Sequence, residues 1–122
     1  MVAERDGVVE RTVEVPIPPE ELWEALADPA ALGDWFEADV ELDVRPGGPG
    51  RFVLADGQGR RALVHEVEPG RRLSFSWWPD DDGRWRLTER TTVTMTLEPV
   101  PGGTRLRVVE TRAGAVRARA AA

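Results

Sequence analysis

The chain has 122 residues, of which 41% are hydrophobic and 31% charged, with a formal net charge of −6 and no cysteine. This length suits one domain, residues 1–122, able to bury roughly two thirds of its unfolded surface, and the composition excludes a disordered chain, disulfides and thiolate chemistry. The acidic balance argues against nucleic acid as a partner, no stretch approaches the roughly 20 apolar residues of a membrane span, and Met1–Asp6 lacks a basic-then-apolar leader, so a cytoplasmic location is expected.

Residues 8–17, VVERTVEVPI, put Val9, Val13, Val15 and Ile17 on one parity, as on a half-buried strand. Pro18-Pro19 ends it. Pro19 followed by Glu20-Glu21 then suits a first helical turn, because proline loses no hydrogen bond there and the carboxylates meet the positive end of the helix dipole. Leu22 and Leu26 lie one turn apart. Asp28-Pro29 stops this helix and starts a second one, with Asp28 as N-cap and Pro29 at the first position. In that short helix Leu32, Trp35 and Phe36 share a face at i, i+3 and i+4.

From residue 38 the pattern changes to strands. Val40, Leu42 and Val44 alternate with acids, and Pro46–Gly50 makes a turn. Further strands are predicted around Phe52–Leu54, over Ala62–Val67 and over Leu73–Trp77. A long run follows with Trp85, Leu87, Glu89, Thr91, Val93, Met95 and Leu97 on one parity, and the last strand carries Leu106 and Val108 to Glu110. Short turns between these segments imply an antiparallel meander of about seven strands, with two short helices after the first. The tail Ala113–Ala122 has helical propensity but only Val116 as a sizeable apolar side chain. All 16 basic residues are arginine, lysine, asparagine and tyrosine are absent, and Ile17 is the only isoleucine, a usage expected of a GC-rich bacterial genome. Arg105, Arg107, Arg112, Arg117 and Arg119 cluster late and read as a solvated strand and tail.

The order strand, two helices, six antiparallel strands matches the helix-grip fold, and local motifs agree. VEVPIPPEELWEALADPAALGDWF resembles the opening of START-like (SRPBCC) proteins, in particular the branch related to the activator of heat-shock protein 90 ATPase. HEVEPGRRLSFSW and TTVTMTLEPVPGGTRLRV resemble that branch's later strand pairs, so the resemblance runs from about Val8 to Glu110. It implies an α+β fold in which a curved antiparallel sheet grips a long C-terminal helix and leaves a cavity for lipids, polyketides, hormones or other apolar molecules. It implies no shared catalytic set. The tail departs from the pattern: the closing helix is expected to be short or missing, the concave face open, and a second copy or another protein is expected to cover it.

Within that fold Trp35, Phe36, Phe52, Phe75, Trp77 and Trp85 are expected on the concave face or the helix pair above it. With Leu54, Leu87, Thr91 and Met95 they form the candidate ligand pocket, and a closely packed core would use the same residues. Glu89 and Glu110 share parity with apolar neighbours, which makes them the weak candidates for general acid/base work, with Arg11 as an inward partner; a bulge or a wet rim would take them out of play. His65 is the lone histidine, so no histidine-rich metal site is expected and no metal or cofactor is assigned. It reads as a surface or edge-strand residue, with a Ser74 or Ser76 triad unsupported by any elbow motif. Asp80–Gly83 reads as a solvated hairpin tip, and Trp78 as an outward-facing, exposed ring that invites a partner. The first functional expectation is binding of an apolar or aromatic small molecule. The alternatives are a polyketide cyclase/dehydratase-like enzyme and a protein-interaction module like the chaperone ATPase activator.

Overall fold

The computed structural model describes residues 2–5, 7–80 and 90–112, with the side chains of residues 2–5 and 35 outside that description. The strands are β1 (Val2–Arg5), β2 (Val8–Val15), β3 (Ala38–Leu42), β4 (Pro49–Leu54), β5 (Gly59–Glu68), β6 (Arg72–Pro79), β7 (Thr91–Val100) and β8 (Gly103–Arg112), with helices α1 (Pro19–Leu26) and α2 (Pro29–Phe36) between β2 and β3. The seven expected strands are all present, and the short β1 adds a hairpin partner to the first of them. All pairings are antiparallel, in the order β1-β2-β8-β7-β6-β5-β4-β3. No helix follows β8 among the described residues, and the tail Ala113–Ala122 lies outside them.

This order decides where the helices go. β2 sits beside β8, while β3 is the far edge, so the chain must cross the sheet between them. It crosses as α1, against β7 and β8, and α2, against β3. The helix boundaries follow the local chemistry already visible in the chain. Pro19 opens α1, the Asp28 carboxylate accepts from the Ala30 N–H at 3.1 Å to cap α2, and Glu37 ends α2 in the left-handed region at φ 52°. Gly33 lets α2 lie directly on β3, since a Cβ there would come within 2.5 Å of the Ala38 carbonyl oxygen.

The covered face holds one core. Leu22, Leu26 and Leu32 from the helices meet Phe52, Val64, Leu73, Phe75, Met95, Leu106 and Val108 from the sheet. Burying each large side chain contributes about 1.5–3 kcal/mol. At the β2 side the cover thins, and Val13 is 39% exposed beside the buried Leu106.

The outer face departs from the expected solvated pattern. On β6 the outward Ser74 and Ser76 are buried with the inward residues, Ser76 completely. Their hydroxyls meet Thr94 at 3.4 Å and Thr92 at 3.1 Å on β7. Trp78 does share the outward parity but is only 8% exposed, so the expectation of an exposed ring fails: it lies on an inner strand, opposite Arg61. Asp80 is no solvated tip either. Its side chain is 12% exposed and bridges Arg61 at 3.0 Å and Arg51 at 3.6 Å, two like charges directly opposed across β4 and β5. Residues 81–83 of that predicted tip lie outside the description. Late in the chain Arg105 pairs with Glu14 and Glu98, and Arg107 with Glu10, which makes an ion-pair row across β2, β8 and β7.

Candidate functional site

Pairing register builds an aromatic cluster on the concave face. Phe52 stands on β4 and Phe75 and Trp77 on β6, separated in the sheet by β5. The β5 residue opposite Trp77 is Ala62, itself opposite Gly50, and these small residues leave room for rings from β4 and β6 to meet above them. Phe52 stacks on Phe75 with centroids 5.6 Å apart and planes at 18°, and meets Trp77 edge-on at 5.0 Å and 84°. Phe36, near the end of α2, then sets its ring against all three, at 5.7 Å from Phe52, 6.3 Å from Phe75 and 5.3 Å from Trp77. Edge-to-face contacts of this kind each add about 0.5–1.5 kcal/mol to burial. Phe52 and Phe75 are fully enclosed, while Phe36 is half-buried.

Two polar features touch this cluster. The Arg60 guanidinium lies 4.9 Å above the Trp77 ring, and the buried Trp77 indole Nε1 has no hydrogen-bond partner among the described residues. Neither Arg60 nor Ala62 stood out in the sequence. The available signal was their place two residues apart on β5, between two ring-bearing strands.

The other expected pocket residues are spread more widely. Thr91 pairs with Trp77 in the adjoining row. Met95 lies farther along β7, opposite Leu73 and Val108, in the core with Leu22 and Leu26. Leu54 is half-buried, paired with Ala38 at the sheet edge. Trp85, Leu87 and the acid/base candidate Glu89 lie outside the described residues, as does the Trp35 side chain. Two grooves formed by described residues, about 440 and 520 Å³, lie beside α2 and are lined by Gly33, Asp34, Ala38, Asp39 and Val53 in both cases. They do not reach the rings, which are packed together.

Glu110 does face the concave side. It stands in the row Phe75, Val93, Glu110, Val9, two strand spacings or about 10 Å from Phe75. It is half-buried and makes no hydrogen bond or ion pair among the described residues. Arg11 occupies the next row on β2, exposed, and does not pair with it.

His65 lies on the opposite, outer face and is exposed, as the surface reading expects, though on an inner strand rather than an edge. A register shift between Val64 and Glu66 makes it the bulged residue of β5, and its Nε2 is 2.6 Å from the Ser76 hydroxyl. Ser76 is wholly buried, so this pair has no access to a substrate carbonyl and is structural. Desolvation by the packed sheet, reinforced by the nearby Arg90 charge and opposed by Glu66, holds the His65 pKa below its usual value. No group of three or more metal-ligating side chains occurs among the described residues, and no helix among them is long and apolar enough to cross a membrane.

A family profile described as "Activator of Hsp90 ATPase homolog 1-like protein" matches residues 16–122. Among curated proteins there is no match. Among solved structures, protein MLL2253 from Mesorhizobium loti is similar at 28% identity over 86% of this chain and 76% of its own, with a TM-score of 0.74. A Rhodobacter sphaeroides protein is similar at 28% identity over 100% of this chain and 83% of its own, with a TM-score of 0.73. DynU16, from the dynemicin biosynthetic locus, is 31% identical over 90% of this chain with a TM-score of 0.74, and the chain spans only 39% of its length.

Proposed function

The chain belongs to the Activator of Hsp90 ATPase homolog 1-like family, and from that premise we propose that it takes an apolar or aromatic small molecule between α2 and the concave face of its sheet. The observation that carries this reading is the way the ring cluster is divided. Three rings stand on the sheet, and Phe36, half-buried, is the one brought to them by a short helix. Movement of α2 parts Phe36 from Phe52, Phe75 and Trp77 and exposes flat apolar surface, the lining that small-molecule sites use. The likeness to a protein of a biosynthetic locus supports a small molecule rather than a protein as the ligand.

A second reading, a cyclase/dehydratase-like enzyme, is favoured by one observation: the half-buried Glu110, without a partner among the described residues, in line with Phe75 on the same face. A carboxylate there is placed to move a proton on a molecule lying along that row. Native mass spectrometry of the purified protein tests the first reading. A co-purified apolar compound supports it and names the ligand class, a bare protein counts against it, and the same spectrum reads whether a second copy covers the β2 side. Once a compound is known, an unchanged conversion rate in Glu110→Gln removes the enzyme reading as assigned to that residue.

A further inference from the structure

We infer that the molecule taken up at this site carries an anionic oxygen beside its apolar body, and that the Trp77 indole N–H and the Arg60 guanidinium bind that oxygen together. The inference rests on the ring-cluster reading and adds the chemistry of the ligand. Trp77 is 7% exposed, and its Nε1 is fully buried with no acceptor among the described residues. A buried donor left unsatisfied is costly, so such groups are rare and mark places where an acceptor belongs. Trp77 is also the ring that Phe36 approaches most closely, so parting the rings uncovers the indole.

Arg60 supplies the charge. Register places it opposite Phe52 and Pro79 on the concave parity of β5, and its guanidinium carbon lies 4.9 Å over the centre of the Trp77 ring. A guanidinium carries five N–H donors, and contact with one ring leaves donors free for a ligand oxygen. Its neighbour Arg61, on the outer face, shares the Asp80 carboxylate with Arg51, whereas no carboxylate pairs with Arg60 among the described residues. In a chain with net charge −6, a half-buried guanidinium held against an aromatic cluster with no carboxylate partner among the described residues is a selective feature. A carboxylate, enolate, phenolate or sulfonate on a flat apolar frame satisfies the indole donor and the cation at once. A neutral hydrocarbon satisfies neither.

Two fluorescent probes with the same ring system separate these possibilities: 8-anilinonaphthalene-1-sulfonate, which is anionic, and N-phenyl-1-naphthylamine, which is neutral. With the full chain, the sulfonate is expected to bind the more tightly. Arg60→Gln should weaken it roughly tenfold, the loss of one charge-assisted hydrogen bond, and leave the neutral probe within about twofold. Trp77→Phe keeps a ring but removes the donor, and should weaken the sulfonate selectively in the same way. Circular dichroism checks that each variant is folded, and Arg60→Gln, at a half-exposed position, decides the matter if Trp77→Phe is not. If Arg60→Gln changes both probes alike, or neither, the anionic oxygen is overturned while the pocket stands. If neither probe binds the parent protein, the pocket reading falls and this inference falls with it.

Discussion

Phe36 meets Trp77 with ring centroids 5.3 Å apart and planes at 64°. One ring belongs to a helix of eight residues and the other to the middle of an eight-stranded sheet. This contact ties α2 to the sheet, and the proposed site opens by breaking it. Phe36→Ala should therefore cost about 2 kcal/mol of stability, less than a fully buried phenylalanine because Phe36 is half-exposed. It should also strengthen binding of N-phenyl-1-naphthylamine by uncovering the three sheet rings. Urea melts and probe titration read the two effects, and unchanged probe affinity would remove Phe36 as the gate.

The same helix depends on close backbone approach. A Cβ at Gly33 would meet the Ala38 carbonyl oxygen at 2.5 Å, and backbone has little room to yield. Gly33→Ala is expected to destabilise the fold by about 1–3 kcal/mol, as overpacking does. A variant as stable as the parent in a denaturant melt would show that α2 rides more loosely on β3 than this geometry requires.

Asp80 stabilises the outer face by separating two like charges. With Arg51 and Arg61 directly opposite one another, Asp80→Asn should leave a destabilising pair and cost about 1 kcal/mol, a modest figure because both arginines are largely in water. The deficit should shrink in about 1 M salt, where screening acts over roughly 3 Å. A deficit that is the same at low and high salt would mean that Asp80 acts through packing instead.

His65 gives stability a pH dependence of defined sign. Its pKa in the folded protein lies below the unfolded value of 6.5, so the unfolded chain binds the proton more readily. Stability is then complete above the unfolded pKa and declines as pH falls through and below about 6.5. Protonation adds a cation near Arg90 and leaves Nε2 able only to donate toward Ser76, with Glu66 the neighbouring charge that favours it. Urea midpoints at mildly alkaline and mildly acidic pH should differ in the parent protein and converge in His65→Gln. Glu10, held below its usual carboxylate range by its hydrogen bond to Arg107, contributes only at lower pH, which keeps the two effects apart. Equal slopes in parent and variant would exclude His65 as the source.

The seven expected strands, the two helices and the Asp28 cap were legible because each rests on neighbours in the chain. Alternation over two residues marks a strand face, and Asp28-Pro29 or Pro19-Glu20-Glu21 marks a helix start without help from distant residues. The family was legible for the same reason, since its motifs are local runs. Within the candidate site, Phe36, Phe52, Phe75 and Trp77 were recognisable as rings sharing one face. Arg60 and Ala62 were not, because a strand residue gains its role from what lies across the ladder.

The sequence by itself therefore determined most of the elements and the alternation of faces within each regular strand, for alternation, capping and turn chemistry act within a few residues. Tertiary structure alone decided the neighbours. Arg60 over Trp77, Ala62 beneath the rings, the buried Ser76 beside a bulged His65, and Asp80 between two arginines all depend on register, the partnering of residues as far apart as 29 positions for Asp80 and Arg51. A shift of one residue in any pairing turns a side chain to the other face, so these contacts exist only once the whole sheet has chosen its register against a buried core.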